Sequence, residues 1–514
     1  MLSNFLSLSQ FKDLTFKNNA VLSTKPADKL SIYYYNDTHG NSDQMAGLLE
    51  SAKAFKQKNQ LNKDTVSFVL SAGDNVSGGN NDKNGFIYDL MQNMMGVDVS
   101  AIGNHEMDAT PDGFYEEIKD KKMQFVATNV DFEDNHPLNN VVKKSIIKEQ
   151  NGQKYGFIGT MPLDFALRTK EDSKKGLEID DFDDTVENLQ EEIDELKKQG
   201  VNKIILMSHS GYETDKKFAK ALDGVDVIIG GHSHSVVDGA VNNENMVMSK
   251  SNEPVIITQA GENGKYYGIL EAEFDSNGII KKVGNKLFEN VNTKKSPTVE
   301  YIKDKSLGES PVVAQIDKID PMPKNRRNEP CAWTDLVADS MRSELKTDIA
   351  IVNAANTRKV PQEGKLTRRD IEESSPMKNK LLKTTITQKQ LVDAIKQAAK
   401  ETMSDKEGVP GLLHVSGAKY KIDKQGNLLE MSILDKNGNY SPIDINNPSQ
   451  DVKYSACYDD FVAKEQGGEY PLLAPKFAVE NFDFDKDETL ARHLSTLTNK
   501  DNLVVTDDKR IEIV

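Results

Sequence analysis

The chain has 514 residues, of which 65 are Lys or Arg and 81 are Asp or Glu, so its formal net charge is −16. At about 100–200 residues per domain, this length predicts two or three domains. The acidic balance argues against a general surface for nucleic acid polymers, because phosphate backbones bind to clustered cations. The two cysteines, Cys331 and Cys457, exclude a disulfide framework, an iron–sulfur cluster and a cysteine-ligated zinc site.

The N-terminal segment, residues 1–28, is predicted to be a flexible leader. Ser, Asn and Gln interrupt its apolar positions and no cationic segment precedes them, so it is not typical of a secretory signal. No apolar run elsewhere approaches the roughly 18 residues of a membrane span. The sequence by itself therefore favours a cytoplasmic location.

The next part of the chain, residues 29–290, is predicted to be a layered α/β domain. Short runs rich in Val, Ile and Tyr predict strands, each ending in a polar or glycine-containing loop. These strands are predicted at 29–35, 65–73, 97–103, 203–208 and 225–231. A helix is predicted over 184–200, because its apolar residues recur at spacings of three and four. Strands that alternate with helices indicate a layered α/β core.

Two further stretches are predicted to be β-hairpins. In 143–160 the turn is Asn151-Gly152, and in 268–283 it is Asn277-Gly278. Asn-Gly favours the left-handed backbone that a two-residue hairpin turn requires. Hairpins added to a strand–helix core indicate a sandwich of two mixed sheets.

Residues 291–312 are polar, with Pro and Gly near the ends, which predicts a linker. A second unit is predicted over 313–514. Its helices are predicted at 334–346 and 387–403, and its strands at 348–353, 418–423 and 451–458.

Five of the eight histidines lie in loops that follow predicted strands of residues 29–290. Ligands of open α/β sheets bind at strand ends, so we expect these loops to meet. Their oxygen and imidazole donors suit Mn²⁺, Fe²⁺, Zn²⁺, Co²⁺ or Ni²⁺ better than Ca²⁺. The candidate side chains are Asp37, His39, Asp74, Asn104, His105, Asp108, His209, His232 and His234.

Two of these loops carry ligand-type residues two positions apart, Asp37 with His39 and His232 with His234. If both members are extended, their side chains share one face; if the loop turns, each can serve a different ion. The remaining histidines are interpreted as ordinary polar residues. They are His136, His414 and His493.

The motifs NDTHGN, GDNVSG, GNHEMD, SHSG and GGHSH resemble those of calcineurin-like metallophosphoesterases. Their order is most similar to the bacterial 5′-nucleotidase and 2′,3′-cyclic-nucleotide phosphodiesterase branch. The resemblance implies an α/β fold, in which a four-layer α-β-β-α metallophosphoesterase sandwich precedes a smaller α/β domain of 5′-nucleotidase type that sets substrate specificity. This family is typically exported, so a periplasmic or cell-surface location is the alternative to the cytoplasm.

The resemblance also implies two divalent metal ions, with Mn, Zn, Co, Fe and Mg as the candidates. Each ion would have four ligands, and Asp74 would bridge them. The first set is Asp37, His39, Asp74 and His234, and the second is Asp74, Asn104, His209 and His232. The family often has Gln where this chain has His234.

The activity that the resemblance implies is hydrolysis of nucleotide phosphoesters. Two cations would clamp a phosphoryl group and acidify a bridging water, and the hydroxide would attack phosphorus in line. His105 would bind a phosphoryl oxygen or protonate the leaving group, and Asp108 would orient its ring. One alternative is broader phosphomonoesterase or phosphodiesterase activity on 2′,3′-cyclic nucleotides, nucleotide sugars or sugar phosphates. Another is a catalytically silent nucleotide-binding protein.

Substrate contacts are expected from the second unit. The segment DIAIVNAANTR occupies the place of the family's Asn-Gly-Gly-Gly-Ile-Arg loop, so Asn353 and Arg358 are expected to bind substrate although residues 354–356 are not glycines. Phe461 is expected to be one ring of the pair that holds the base. The other position is Leu412, which cannot stack as an aromatic ring does.

Overall fold

The computed structural model describes residues 28–62, 64–76, 90–108, 110–169, 171–290, 301–302, 305, 308–375, 377, 379–404, 411–463, 470–498 and 501–514. The predicted leader, apart from Asp28, and residues 291–300 of the predicted linker lie outside this part of the chain. Two compact units divide between residues 307 and 308. Among the helices of the described residues, none combines the length and the apolar character that crossing a membrane requires.

The first unit contains two large sheets and the helices that cover them. Its strands are β1 Asp28–Tyr35, β2 Thr65–Ser71, β3 Val99–Ala101, β4 Gln124–Val126, β5 Val130–Phe132, β6 Val142–Lys143, β7 Ser145–Gln150, β8 Gln153–Thr160, β9 Leu177–Ile179, β10 Ile204–Ser208, β11 Val227–Ile229, β12 Val236–Val237, β13 Met246–Met248, β14 Pro254–Ala260, β15 Tyr266–Phe274 and β16 Ile280–Glu289. Its helices are α1 Ser42–Gln60, α2 Pro111–Ile118, α3 Phe165–Arg168, α4 Phe182–Lys198 and α5 Tyr212–Ala221.

Both sheets are mixed, as the sequence predicts. The first has the strand order β16-β15-β1-β2-β3-β4-β6, in which β1, β2, β3, β4 and β6 run parallel. The second has the order β12-β14-β11-β10-β8-β7, with β14, β11, β10 and β8 parallel. Parallel neighbours bring their carboxyl ends to one edge of each sheet.

The two sheets and the helices outside them form four layers, because successive side chains of each strand point to opposite faces of its sheet. Leu30, Ile32 and Tyr34 of β1 face the other sheet, where Ile205 and Met207 of β10 belong to the same apolar cluster. The opposite faces of the two sheets pack against helices. Tyr33 and Tyr35 contact the cluster that includes α1, whereas Ile204 and Leu206 contact the cluster that includes α4 and α5. The predicted α-β-β-α sandwich is confirmed.

The predicted hairpins and helix are confirmed with small shifts at their ends. Strands β7 and β8 pair antiparallel up to Gln150 and Gln153, with positive φ at Asn151 and Gly152 between them. Strands β15 and β16 also pair antiparallel, but residues 275–279 connect them, and of Asn277 and Gly278 only Gly278 has a positive φ, of 90°. This hairpin therefore has a longer loop than the predicted two-residue turn. Helix α4 starts earlier than predicted, because the carboxylate of Asp181 caps its first amides.

The second unit is a smaller α/β domain. Its strands are β17 Val312–Ile319, β18 Ile349–Asn353, β19 Gly364–Thr367, β20 Leu381–Thr387, β21 Leu413–Ser416, β22 Ala418–Ile422, β23 Leu428–Leu434, β24 Tyr440–Pro442, β25 Lys453–Asp459, β26 Glu480–Asn481, β27 Leu503–Val505 and β28 Ile511–Ile513. Its helices are α6 Ala332–Leu345, α7 Arg368–Ser374, α8 Gln388–Thr402 and α9 Lys486–Thr496.

A five-stranded sheet, in the order β21-β18-β25-β20-β26, separates two apolar clusters in this unit. Ile349 and Ile351 of β18 face the cluster of α8, whereas Ala350 and Val352 face that of α6 and α9. Because both faces are covered, β18 is apolar throughout until Asn353, its last residue. Both cysteines of the chain are buried and free.

Candidate metal centre

The ligand-type loops meet where parallel strands of the two sheets end. Strands β1, β2 and β3 are neighbours in one sheet, and β10 and β11 are neighbours in the other. Within the first sheet, the amide of His39 donates to the carbonyl of Asp74 at 3.0 Å. Between the sheets, the amide of His232 donates to Asp37 Oδ2 at 3.0 Å. The sandwich therefore brings together residues that are nearly 200 positions apart.

Five of the candidate ligands have left-handed backbone conformations. Their φ angles range from 46° to 74°, which is uncommon for residues other than glycine. Such strain persists where surrounding structure fixes it, typically at functional sites. Both two-residue pairs are therefore turned and not extended. The five are Asp37, His39, Asp74, His232 and His234.

One group of ligand atoms is formed by Asp37, His39 and His234. Nε2 of His234 lies 3.2 Å from Asp37 Oδ1 and 3.0 Å from Nε2 of His39. Nε2 of His39 lies 3.7 Å from the same carboxylate oxygen. These are the first-ion residues other than Asp74.

A second group is formed by Asp74, His209 and His232. Nε2 of His209 lies 3.1 Å from Asp74 Oδ2, and Nδ1 of His232 lies 3.1 Å from Oδ1 of Asn104. Asp74 also lies within 4.8 Å of ligand atoms of His39 and His105. Its carboxylate therefore lies within reach of ligand atoms from His39 as well as from His209 and His232.

The charges of these groups fit a divalent cation. Burial on its own lowers the pKa of His209, but Asp74 and Asp37 outweigh it and raise this pKa to about 10. Burial likewise raises the pKa of Asp74, yet His209, His105 and His39 together hold it well below its usual value. Asp37 Oδ1 is buried and accepts no hydrogen bond. Cations in this position would supply the positive charge that the two carboxylates otherwise draw from the His209 imidazole.

Glu106 fixes the two loops that carry Asp74 and Asn104. Its buried carboxylate accepts backbone N–H groups from Asp74 at 2.9 Å, Asn75 at 2.8 Å and Gly103 at 2.8 Å. A Cβ atom at Gly103 would clash with the carboxylate of Asp74. This close approach explains why glycine precedes Asn104.

His105 and Asp108 form a pair at the edge of the centre. Nδ1 of His105 lies 2.5 Å from Asp108 Oδ2, within the short 3-10 helix His105–Asp108. The amide of His105 donates to Asp74 Oδ1 at 2.9 Å. The His105 side chain retains 13% of its exposure, whereas those of Asp37 and His209 have none. The pair can therefore meet a ligand that approaches from solvent.

Two carboxylates that the sequence interpretation missed lie against the centre. Asp164 Oδ1 is 3.1 Å from Nε2 of His232, and Glu262 Oε2 is 2.9 Å from Nδ1 of His234. Both follow strands of the second sheet, β8 and β14. Extending the strand-end argument to residues 153–160 and 254–260 would have found them.

The substrate-binding residues expected in the second unit have different environments. Asn353 ends β18, where its Oδ1 accepts Nδ2 of Asn356 at 3.3 Å. Arg358 is 9% exposed and its amide donates to a carbonyl of α7. Phe461 is half-buried, but Leu412 lies wholly within the apolar core of α8. Leu412 therefore offers no surface to a ligand.

The three histidines interpreted as ordinary polar residues have other contacts. The ring of His136 stacks on Phe132 with centroids 4.7 Å apart. His414 is buried in the second unit, with Nδ1 2.8 Å from Asp335 Oδ1. His493 lies on α9.

Known proteins share both units of this chain. The calcineurin-like phosphoesterase family matches residues 30–236, and the 5′-nucleotidase C-terminal domain matches residues 312–475. The trifunctional nucleotide phosphoesterase protein YfkN of Bacillus subtilis is 26% identical over 92% of this chain, which spans 34% of that protein. A probable 5′-nucleotidase of Treponema pallidum is 26% identical over 74% of each chain.

A similar fold is found in the crystal structure of a 5′-nucleotidase precursor from Thermus thermophilus. Its TM-score is 0.76 at 22% identity, over 95% of this chain and 99% of that chain. The fold likeness agrees with the two family matches, whose boundaries fall in the first and second units, respectively. The chain belongs to the calcineurin-like metallophosphoesterases that carry a 5′-nucleotidase C-terminal domain.

Proposed function

We propose that this chain is a dinuclear-metal phosphohydrolase that cleaves phosphoesters of nucleotides. The observation that carries the proposal is the shared position of Asp74, whose carboxylate lies within reach of ligand nitrogens on both sides of the centre. One bridging carboxylate flanked by separate sets of imidazoles is the arrangement that two adjacent cations require. The relatives named for nucleotide hydrolysis support the same substrate class.

The proposed ligands divide between two ions. Asp37, His39, Asp74 and His234 hold one, and Asp74, Asn104, His209 and His232 hold the other. Oxygen and imidazole donors without a thiolate suit Mn, Zn, Co, Fe or Mg. When bound, two such ions polarise a phosphoryl group and lower the pKa of a water molecule.

His105 and Asp108 supply the proposed proton-handling pair. Asp108 accepts Nδ1–H of His105 and so holds its ring, leaving Nε2 to contact a phosphoryl oxygen or the leaving oxygen. A positioned general acid of this kind contributes about 10²–10⁴-fold to rate. No nucleophilic side chain is required, since water attacks phosphorus in line.

Replacing His105 by Ala is therefore expected to lower kcat by about 10²–10⁴-fold while both metal equivalents remain bound. Elemental analysis of the dialysed variant, together with phosphate release, measures the two effects separately. If the variant loses a metal equivalent, His105 is a ligand and not part of the proton-handling pair. Asp172→Asn, at an exposed carboxylate that pairs with Lys175, is the matched control.

The second unit is proposed to bind the nucleoside part through Asn353, Arg358 and Phe461. Arg358 carries a planar fork suited to a phosphate or carboxylate. Phe461 provides a ring against which a base can stack. Leu412, at the other position of the expected pair, lies inside the apolar core and offers no ring to a base. This observation favours, as the second candidate, a broader phosphomonoesterase or phosphodiesterase with weak base selectivity.

A substrate screen tests the proposal and separates the two candidates. Phosphate release is measured directly from 5′-AMP, 5′-UMP and a sugar phosphate, and after phosphatase coupling from a 2′,3′-cyclic nucleotide and a nucleotide sugar. Mn²⁺, Zn²⁺, Co²⁺ or Mg²⁺ is added separately in each assay. We expect metal-dependent hydrolysis with the highest kcat/KM on 5′-nucleotides. Equal kcat/KM on the sugar phosphate favours the broader activity. No turnover with any metal overturns both candidates and favours a catalytically silent nucleotide-binding protein.

A further inference from the structure

Two histidines of the centre present one ring nitrogen to it and the other to a carboxylate. His232 directs Nδ1 toward Asn104 and Nε2 toward Asp164, each at 3.1 Å. His234 directs Nε2 toward Asp37 Oδ1 at 3.2 Å and Nδ1 toward Glu262 at 2.9 Å. The same two-sided arrangement thus occurs twice, with opposite ring nitrogens inside.

A metal-binding imidazole is neutral, so it carries one N–H group and one lone pair. A carboxylate on the outer nitrogen takes the N–H group and leaves the lone pair directed inward. Asp164 Oδ1 is buried and has no other hydrogen-bond partner among the described residues, so accepting this N–H group would leave Nδ1 of His232 as the ligand atom. Glu262 would in the same way leave Nε2 of His234 as the ligand atom. The negative charge behind the ring also strengthens the attraction of the inner nitrogen for a cation.

His209 provides the internal comparison. Its Nε2 faces Asp74, and its outer Nδ1 donates to the carbonyl of Ala72 at 2.6 Å. A neutral carbonyl fixes the ring but adds no charge. His209 therefore lacks the carboxylate that lies behind each histidine of the GGHSH loop.

Asp164 is itself held in place. Its second oxygen, Oδ2, accepts Nε–H of Arg168 at 2.7 Å, one turn along the short helix α3. Oδ1 is consequently directed to His232. Glu262 follows β14, and the next amide, that of Asn263, donates to the carbonyl of Asp37 at 2.6 Å. Each carboxylate is thus anchored close to the ligand that it supports.

We infer that Asp164 and Glu262 are positioning residues, each acting on a different metal ion. Asp164 acts through His232 on the ion bound with Asn104, and Glu262 acts through His234 on the ion bound with Asp37. This inference rests on the proposed division of ligands between two ions. It further implies that the affinity for each ion can be changed separately by substituting a residue that does not itself bind the ion.

Binding isotherms for Mn²⁺, measured by equilibrium dialysis and elemental analysis, test the inference without any turnover. The wild-type chain is expected to bind two Mn²⁺. Asp164→Asn and Glu262→Gln are each expected to weaken one of the two Mn²⁺ sites by about 10–100-fold and leave the other unchanged. In Asp164→Asn the retained ion should be lost on adding His39→Ala, and in Glu262→Gln on adding His209→Ala.

Asp172→Asn is the control, because Asp172 is exposed and pairs with Lys175 only 2.6 Å away. Thermal unfolding of each variant verifies that its first unit is folded. The inference is overturned if both carboxylate variants bind two Mn²⁺ with wild-type affinity, or if either weakens both sites equally. A wild-type chain that binds fewer than two Mn²⁺ instead overturns the proposed function.

Discussion

Replacing Asp74 by Asn is expected to lower metal occupancy on both sides of the centre at once. The carboxylate lies 3.1 Å from Nε2 of His209, and its other oxygen accepts the amide of His105. Asn keeps the shape but loses the charge and one acceptor oxygen, so neither ion retains its full donor set. We expect kcat to fall by at least about 10²-fold, because the loss of even one contact to the transition state lowers kcat by about that factor.

Metal analysis is the decisive measurement for this variant. After dialysis at a free metal concentration that saturates the wild type, the variant should hold well below one equivalent at each site. The backbone of residue 74 still bonds to Glu106 and His39, so the fold should survive and circular dichroism should be unchanged. Two full equivalents in the variant would show that Asp74 does not bridge.

A second acidic residue of the same sheet serves as the matched control. Asp98 precedes β3 at the opposite end from the centre, and its Oδ2 accepts the amide of Val69 at 2.8 Å. Asp98→Asn also removes a half-buried carboxylate, but this side chain does not contact any of the proposed metal ligands. Its metal content and kcat should equal those of the wild type.

The loops of the metal centre could be predicted because each ligand lies within five residues of the end of a strand. A sequence shows where apolar runs end, and parallel strands then bring Asp37, Asp74 and Asn104 to one edge. The pairing of the two sheets could also be expected from the hairpins. These are local signals, and the fold preserves them.

The orientation of the ligands could not be predicted in the same way. Asp37 and His39 adopt left-handed φ angles of 49° and 46°, and only the surrounding hydrogen bonds fix such conformations in non-glycine residues. Asp164 carries no comparable sequence signal, because no histidine lies beside it in residues 161–169. Motif position alone predicts Leu412 near the substrate, whereas tertiary packing buries its side chain.

The second unit contains an ion pair whose disruption is expected to have the largest effect on stability. Nζ of Lys486 lies 2.6 Å from Asp459 Oδ2, and both side chains are 2% exposed. The same oxygen accepts Nδ2 of Asn356 at 3.1 Å, and Oδ1 accepts the amide of Val462 at 2.9 Å. The pair therefore joins α9 and β25 to the loop that follows Asn353.

Replacing Lys486 by Met is expected to reduce the free energy of unfolding of the second unit by about 3–5 kcal/mol. Met matches the apolar stem of Lys but leaves the Asp459 carboxylate buried without its counter-charge, and that is the costly state. Chemical denaturation followed by fluorescence of Trp333, the single Trp of the chain and a buried residue of α6, reports on this unit. KM should also rise if Asn356 shifts the proposed substrate loop.

An exposed ion pair with the same N–O distance serves as the control, because it differs from the Lys486–Asp459 pair in burial and not in contact distance. Nζ of Lys380 lies 2.6 Å from Asp483 Oδ1, but these side chains are 65% and 92% exposed. Because water screens exposed charges, Lys380→Met should cost less than about 1 kcal/mol. The double variant Lys486→Met/Asp459→Asn should recover part of the loss by removing the buried charge. Equal costs for Lys486→Met and Lys380→Met would mean that burial of the Lys486–Asp459 pair adds nothing to stability.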